Sequence, residues 1–310
     1  MINKANQVID EIKKVIVGKD AIIEKVLMAI LANGHILLED APGMGKTTLA
    51  LAFSRSMCLD YRRVQFTPDT MASDIVGFSI YNKQTGELEY KKGAAFCNLL
   101  LADEINRTSP KTQAALLEVM EEKRITVDGT SYTLPEPFIC IATQNPLGSA
   151  GTQNLPESQL DRFMVRLSMG YPDLQNQVDI IKNRQQFDPL SMVEAVMSLE
   201  EILEIRRQVH AVYVADEVIR YCAEICEATR TYPSVERGVS PRAVMAVMQM
   251  SKAFAFLQGR AFAIPEDIQA VFLDVCCHRI TMTSQAKIRK ETPQEILKDV
   301  IDSVKAPKMA

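Results

Sequence analysis

Residues 40–47 read DAPGMGKT and follow the apolar run 35–38 after a single residue, Glu39. A strand that ends in a glycine-rich turn and restarts as a helix leaves backbone N–H groups pointing into one concavity, beside the positive end of the new helix dipole. Such a concavity suits phosphate. Gly43 and Gly45 supply the tight turn and the close backbone approach, with Pro42 and Met44 between and beside them and Thr48 in the first helical turn. Lys46 brings a point charge to the outer phosphates, and Thr47 offers a hydroxyl to Mg²⁺. Asp40 departs from the strict pattern, which has glycine there; the expected effect is confined to the tightness of the turn's first residue.

Other segments supply the context a phosphate loop needs. Residues 99–102, LLLA, suit a strand buried on both faces, and the run ends in Asp103 and Glu104. Asp103 would hold Mg²⁺ through its water shell, while Glu104 would orient and polarise the attacking water. The apolar run 138–142 ends in Thr143, Gln144 and Asn145, where an amide could bridge that water and the γ-phosphate. Two later motifs, LDRF at 160–163 and SPRA at 240–243, contribute Arg162 and Arg242.

Phosphate loop, acidic strand end, polar strand end, arginine and a distal arginine on a later helix is the order of the AAA+ ATPases. Within them the chain resembles the MoxR family, in the helix-2-insert branch. The resemblance rests on DAPGMGKT, LLLADEINRTSPKTQAALLEVMEE at 99–122, ATQNP at 142–146, LPESQLDRF at 155–163, SPRA, and IPEDIQAV at 264–271. It implies an α/β fold: a P-loop NTPase parallel sheet flanked by helices, with two β-hairpin insertions and an all-α C-terminal lid. It also implies that Lys46, Thr47 and Asp103 bind ATP and Mg²⁺ and that Glu104 activates water. By the same resemblance Asn145 is the sensor-1 position, Arg162 the arginine finger and Arg242 the sensor-2 arginine of the lid. Val17 and Gly18 resemble the segment that packs on adenine. The implied partners are further copies of the chain in a ring, expected to be a hexamer, and protein clients, among them proteins with von Willebrand factor A domains.

Length and composition agree with two units. A chain of 310 residues exceeds what one core usually organises, and 47% hydrophobic content suffices for both. We expect an ATP-binding domain over 1–171 and a lid over 172–310, divided at Tyr171, Pro172 and Asp173. No apolar run is long enough to span a bilayer, because Asn33, Gly34 and His35 interrupt the nearest candidate. The N-terminus lacks a signal peptide's apolar core, so a cytoplasmic location is expected. Seven cysteines form no disulfide framework and read as buried thiols, Cys58, Cys97 and Cys140 among them. Cys276, Cys277 and His278 are consecutive on a helix and cannot converge on one metal ion.

Helices are expected over 3–15, 20–33 and 45–58, with Gly34 as the cap glycine of the second. Ser109 and Pro110 start a helix to 123. Strands are expected at 35–39 and 62–66. Residues 77–93 read as a β-hairpin around QTGE, and 124–134 as a second hairpin turning at Asp128 and Gly129. The resemblance would turn both hairpins toward a central pore, making Phe78, Tyr81, Tyr90, Lys91 and Lys92 candidates to touch substrate; cross-strand pairing of the aromatics is the simpler reading. Beyond 173 no strand is evident, and helical spacing covers 199–214, 217–230, 241–257 and 265–279. Met245, Met248 and Met250 read as core filling.

The chemistry expected is ATP hydrolysis by positioning and charge neutralisation, harnessed to remodel or assemble protein clients. Two other uses of such a ring stand beside it, a nucleic-acid motor and the ATPase subunit of a metal chelatase. A net charge of −4 and a pI near 5.6 give no overall footprint for nucleic acid. The guanine-reading NKxD motif is missing, since Asn82 and Lys83 precede Gln84 and Thr85.

Overall fold

The computed structural model describes residues 1–145, 155–186 and 188–308; Pro146 lies outside them. Its strands begin with β1 (Ile36–Glu39), β2 (Tyr61–Gln65), β3 (Gly77–Asn82), β4 (Glu87–Lys92), β5 (Leu99–Asp103), β6 (Arg124–Val127), β7 (Thr130–Thr133), β8 (Ile139–Gln144) and β9 (Val165–Leu167). Five of them form a parallel sheet in the order β2-β5-β8-β1-β9. The register sets Gln65 beside Asp103 and Glu39 beside Gln144, so the strands' carboxyl ends share one rim.

Side chains alternate between the two faces of this sheet, which is why its strands read as unbroken apolar runs. Ile36, Leu38, Leu99, Leu101, Ile139 and Ile141 enter one apolar cluster, whereas Leu37, Leu100, Ala102, Cys140 and Ala142 enter another. The first cluster continues through α1 (Ile2–Lys13), α2 (Asp20–Leu31) and α3 (Lys46–Ser56) into the C-terminal helices, so both halves of the chain are packed around shared apolar contacts. The second is closed by α4 (Ala72–Val76) and α5 (Pro110–Glu122). Ser109 caps α5 by accepting a hydrogen bond from the Thr112 N–H, with Pro110 at the first helical position.

The rest of the chain holds α6 (Glu157–Leu160), α7 (Leu174–Gln186), α8 (Leu199–His210), α9 (Asp216–Thr231), α10 (Pro241–Leu257), α11 (Pro265–Cys276), α12 (Ser284–Ile288) and α13 (Pro293–Ser303). This lid is helical but not free of strands. β10 (Tyr213–Val214) pairs parallel with β12 (Phe262–Ala263), and β11 (Val235–Arg237) antiparallel with β13 (Thr281–Met282). Such two- and three-residue strands show no period of their own; pairing across the lid creates them. Among the described residues no helix is long and apolar enough to cross a membrane.

Both hairpins form. In β6–β7 the turn residues Asp128 and Gly129 have φ 49° and 79°, both left-handed as a two-residue hairpin turn requires. In β3–β4 the aromatics divide. Tyr90 stacks on Tyr132 of the second hairpin, ring centroids 4.3 Å apart, and meets Phe96 edge-on. Phe78 and Tyr81 instead face Lys91 and Leu88 across the strands and are 51% and 60% exposed.

Three local expectations are corrected. Asn33, not Gly34, takes the left-handed conformation after α2, at φ 61°; Gly34 is required because a Cβ there would lie 2.4 Å from the Met164 sulfur. Cys58 is exposed, because the chain turns left-handed at φ 51° as it leaves α3. Met250 is core, but Met245 is 61% exposed, since it lies on the side of α10 turned away from the lid's interior.

Candidate nucleotide site

β1 is buried from Ile36 to Leu38 and delivers the chain to the sheet's carboxyl rim, where the loop 40–45 begins. Gly43 and Gly45 have φ 83° and 86°. A Cβ would meet nothing within 4 Å at Gly43 and only the Met169 Cε at 3.7 Å at Gly45, so backbone conformation rather than space demands glycine. Gly45 is also the N-cap of α3 and supplies no side-chain cap, which leaves the first N–H groups of α3 without a capping side chain.

Lys46 is half-buried and donates from Nζ to the Asp40 carbonyl at 2.6 Å and to the Ala41 carbonyl at 3.4 Å. Burial draws its ammonium below the ordinary lysine value, while the carboxylates of Asp40, Asp103 and Glu104 pull the other way. Lysine and acidic strand end thus share one electrostatic neighbourhood although Lys46 and Asp103 lie 57 positions apart in sequence. Thr47 and Thr48 follow in the first turn of α3, both partly buried.

Asp103 closes β5. Its Oδ1 accepts from the Thr143 hydroxyl at 2.6 Å, and its Oδ2 accepts from Arg63 Nε and Nη2 at 3.2 and 2.6 Å. Thr143 also accepts the Glu104 N–H at 2.9 Å, so one buried hydroxyl on β8 fixes both acidic residues. Glu104 is left-handed, at φ 59° and ψ 49°, a conformation that costs a non-glycine residue on the order of 1–3 kcal/mol. Strain of this kind aims the carboxylate off the strand, and it pairs with Arg107 at 2.7 Å. Asn145 follows β8, its carbonyl accepting from Asn106 Nδ2 at 3.2 Å, beside Gln144, which donates to Glu39 at 2.8 Å.

Asp40 does more than loosen a turn. Its buried carboxylate accepts from Ser168 Oγ at 2.6 Å, Met169 N at 2.7 Å and Gly170 N at 3.0 Å. The phosphate loop is thereby tied to the strand exit that leads into the lid. Val17 and Gly18 adjoin the same wall: a Cβ on Gly18, at φ 71°, would lie 2.1 Å from the Asn176 amide of α7, and Lys19 donates to the Tyr171 carbonyl at 2.9 Å.

Arg162 and Arg242 are brought together, but away from this loop. Arg162 Nη1 lies 3.0 Å from Glu121 Oε2, and Arg242 Nη2 bonds the other oxygen of the same carboxylate. Glu121 adjoins Met120, whose carbonyl accepts from His35 Nε2 at 3.0 Å. His35 precedes β1 and Asp40 follows it, so at about 3.3 Å per residue the two ends are roughly 16 Å apart. Arg242 therefore does not reach back to the phosphate loop of its own chain, because α10 starts beside the sheet's amino end. Sequence reasoning missed Arg63, Thr143, Glu121, Asp161 and Arg279. For Thr143, a polar residue closing the apolar run of β8 was the available signal; for the others there was none.

A phosphate loop and an acidic strand end on a parallel sheet, followed by a helical lid, define a P-loop ATPase of the AAA class. Residues 35–165 match the family described as "ATPase family associated with various cellular activities (AAA)", and residues 227–300 the "AAA lid domain". The uncharacterized protein YeaC of Bacillus subtilis is 44% identical over 96% of this chain and 93% of its own. Chaperone MoxR1 of Mycobacterium tuberculosis is 33% identical over 99% of this chain and 84% of its own. The crystal structure of a putative ATPase from Cytophaga hutchinsonii, 37% identical, superposes with a TM-score of 0.92 over 99% of this chain and 96% of that one. The chain belongs to the MoxR family of AAA+ ATPases. It is an ATP hydrolase.

Proposed function

We propose that this ATPase works as a ring of identical subunits, a hexamer by family likeness, that remodels or assembles protein clients in the cytoplasm. One observation carries the reading: Arg162 and Arg242 share Glu121 at the opposite end of the sheet from Lys46. Each chain then offers a phosphate loop on one side and a pair of arginines on another, and a second copy can bring its arginine pair to the first copy's site. Hydrolysis becomes conditional on assembly.

Within each site, Lys46 and the N–H groups at the start of α3 would hold the phosphates, and Asn145 and Glu104 would orient water. Val17 and Gly18 would flank the base. Asp103 and Thr47 fit Mg²⁺: a buried carboxylate and a hydroxyl at the helix start are hard oxygen donors. When bound, Mg²⁺ neutralises charge on the phosphate oxygens. Arg63 and Thr143 hold the Asp103 carboxylate in place. Client handling falls to the β3–β4 hairpin, whose exposed Phe78 and Tyr81 carry no core contact. The name of Chaperone MoxR1 supports a protein client; von Willebrand factor A domain proteins are the class we favour, and nucleic acid is disfavoured by the net charge of −4.

Sedimentation of Glu104→Gln protein with and without ATP and Mg²⁺ tests the ring. A nucleotide-dependent shift to a hexamer is expected, and an unchanged monomer would overturn the proposal.

A further inference from the structure

Away from the nucleotide site, a trough of about 730 Å³ runs along the seam between the ATP-binding half and the lid, open to solvent on one side. Its floor is apolar, built from Leu31, Phe138, Leu203, Met245 and Met248. Its rim is cationic: Lys123, Arg206 and Lys252 line it against one carboxylate, Glu136. Among the described residues no carboxylate lies within ion-pairing distance of those three, in a chain whose net charge is −4.

The cations are held in place by neutral acceptors. Lys123 Nζ and Arg206 Nη1 both donate to Asn33 Oδ1 at 2.9 Å, and Arg206 Nε donates to the Ile30 carbonyl at 3.0 Å. Arg206 Nη2 is buried and has no hydrogen-bond partner. Burial and the neighbouring charge draw Lys123 below its ordinary value, and burial alone brings Arg206 down to about 10. Two like charges converging on one amide oxygen, with a guanidinium N–H left unsatisfied, make a site that an anion would relieve. The exposed methionine belongs to the same site. Methionine adapts to apolar partners of varied shape.

We propose that this trough docks acidic, apolar peptide segments of a partner protein. A carboxylate would sit against the Lys123 and Arg206 side chains that line the rim, and a neighbouring large apolar side chain would lie against Met245, Met248 and Leu203. A peptide suits the site better than a small anion, because the cation rim and the apolar floor lie side by side along an open trough through which a backbone can run. An occupant would bridge α2 of one half and α8 and α10 of the lid. The site lies at the base of the β6–β7 hairpin, about one turn of α10 from Arg242, and is apart from the β3–β4 hairpin.

The probe is a fluorescein-labelled decapeptide of alternating glutamate and leucine, titrated by anisotropy against the full chain without nucleotide. Saturable binding is expected, with a glutamine-for-glutamate decapeptide at least about tenfold weaker. Arg206→Gln should weaken the acidic peptide by about tenfold. Gln249→Glu, at an exposed position on the rim, should weaken it severalfold with an unchanged melting temperature, so a folding defect in the first variant cannot hide the answer. Equal affinity for both peptides, or indifference to both variants, would overturn the proposal. So would saturable binding of dodecanoate alone, which would make this a small-amphiphile site.

Discussion

Arg279, just beyond α11 of the lid and with its side chain 2% exposed, donates from Nε to Asp161 Oδ1 at 2.7 Å and from Nη2 to the Phe163 carbonyl at 2.7 Å. Ser240, the cap of α10, donates to the same carboxylate at 2.9 Å. The residues on either side of Arg162 are thus bonded to the lid, and Arg242 starts the helix that Ser240 caps. Arg162 and Arg242 are therefore parts of one hydrogen-bonded connection, so a displaced lid would carry both.

Removing Asp161 should loosen that connection. Asp161→Ala strands a buried guanidinium, which costs on the order of 3 kcal/mol. Urea unfolding should move to lower midpoint by the corresponding amount. A midpoint within error of the parent would show that the lid is held elsewhere.

Binding and chemistry should separate at the nucleotide site. If Lys46 holds the phosphates and Glu104 acts on water alone, as proposed, Lys46→Ala should weaken ATP binding, whereas Glu104→Gln should bind ATP and lose turnover. Fluorescent-nucleotide titration and phosphate release measure the two steps. Equal loss of binding in both variants would refute this division of roles between Lys46 and Glu104.

Arg162 should act on a neighbour. Arg162→Ala is expected to bind ATP nearly normally and hydrolyse it about a thousandfold more slowly. Mixing it with Lys46→Ala should restore part of the activity, since some interfaces then join an intact loop to an intact finger. No recovery in a mixture shown by mass to contain both subunits would assign the finger role to Arg107 or Arg242 instead.

Acid should destabilise the fold through buried histidines. His35 accepts the Cys140 N–H on Nδ1 and donates from Nε2 to Met120, so it is neutral, and burial lowers its pKa from 6.5 to about 4. A depressed histidine favours the fold fully above pH 6.5; as pH falls from 6.5 to 4 the unfolded chain gains a proton that the folded one refuses, and stability is lost. By pH 5 the loss from His35 is about 2 kcal/mol. His278, lowered by burial as well, adds in the same direction. Urea midpoints at pH 7.5 and 5 measure the slope, which His35→Gln should reduce; identical slopes would exclude His35 as the titrating group.

Much of this architecture was legible in the residues. The helix of α10 runs over the span its spacing implied, and both hairpins turn where Asp128–Gly129 and QTGE imply. β9 was not legible: three residues, VRL, carry no period, and pairing with β1 makes them a strand. α7 was missed because its apolar positions mark no core face: Leu174 and Ile181 stay exposed, and Val178 and Ile180 are only partly buried. At the site, the loop, the acidic pair and Thr47 were readable from type and spacing. Asp40 was readable only as a departure, since its partners at 168–170 lie on another strand's exit.

The sequence by itself determined the phosphate loop, the acidic strand end, the capped helices and the hairpin turns. Each depends on backbone conformation within a few residues, where glycine, proline and capping side chains leave few alternatives. Only the tertiary structure decided which carboxylate each arginine meets: Arg63 with Asp103 across 40 residues, Arg279 with Asp161 across 118, Arg242 with Glu121 across 121. A guanidinium on a long, rotatable stem has no local preference among acids, so its partner is whichever carboxylate the packed sheet and lid bring within reach.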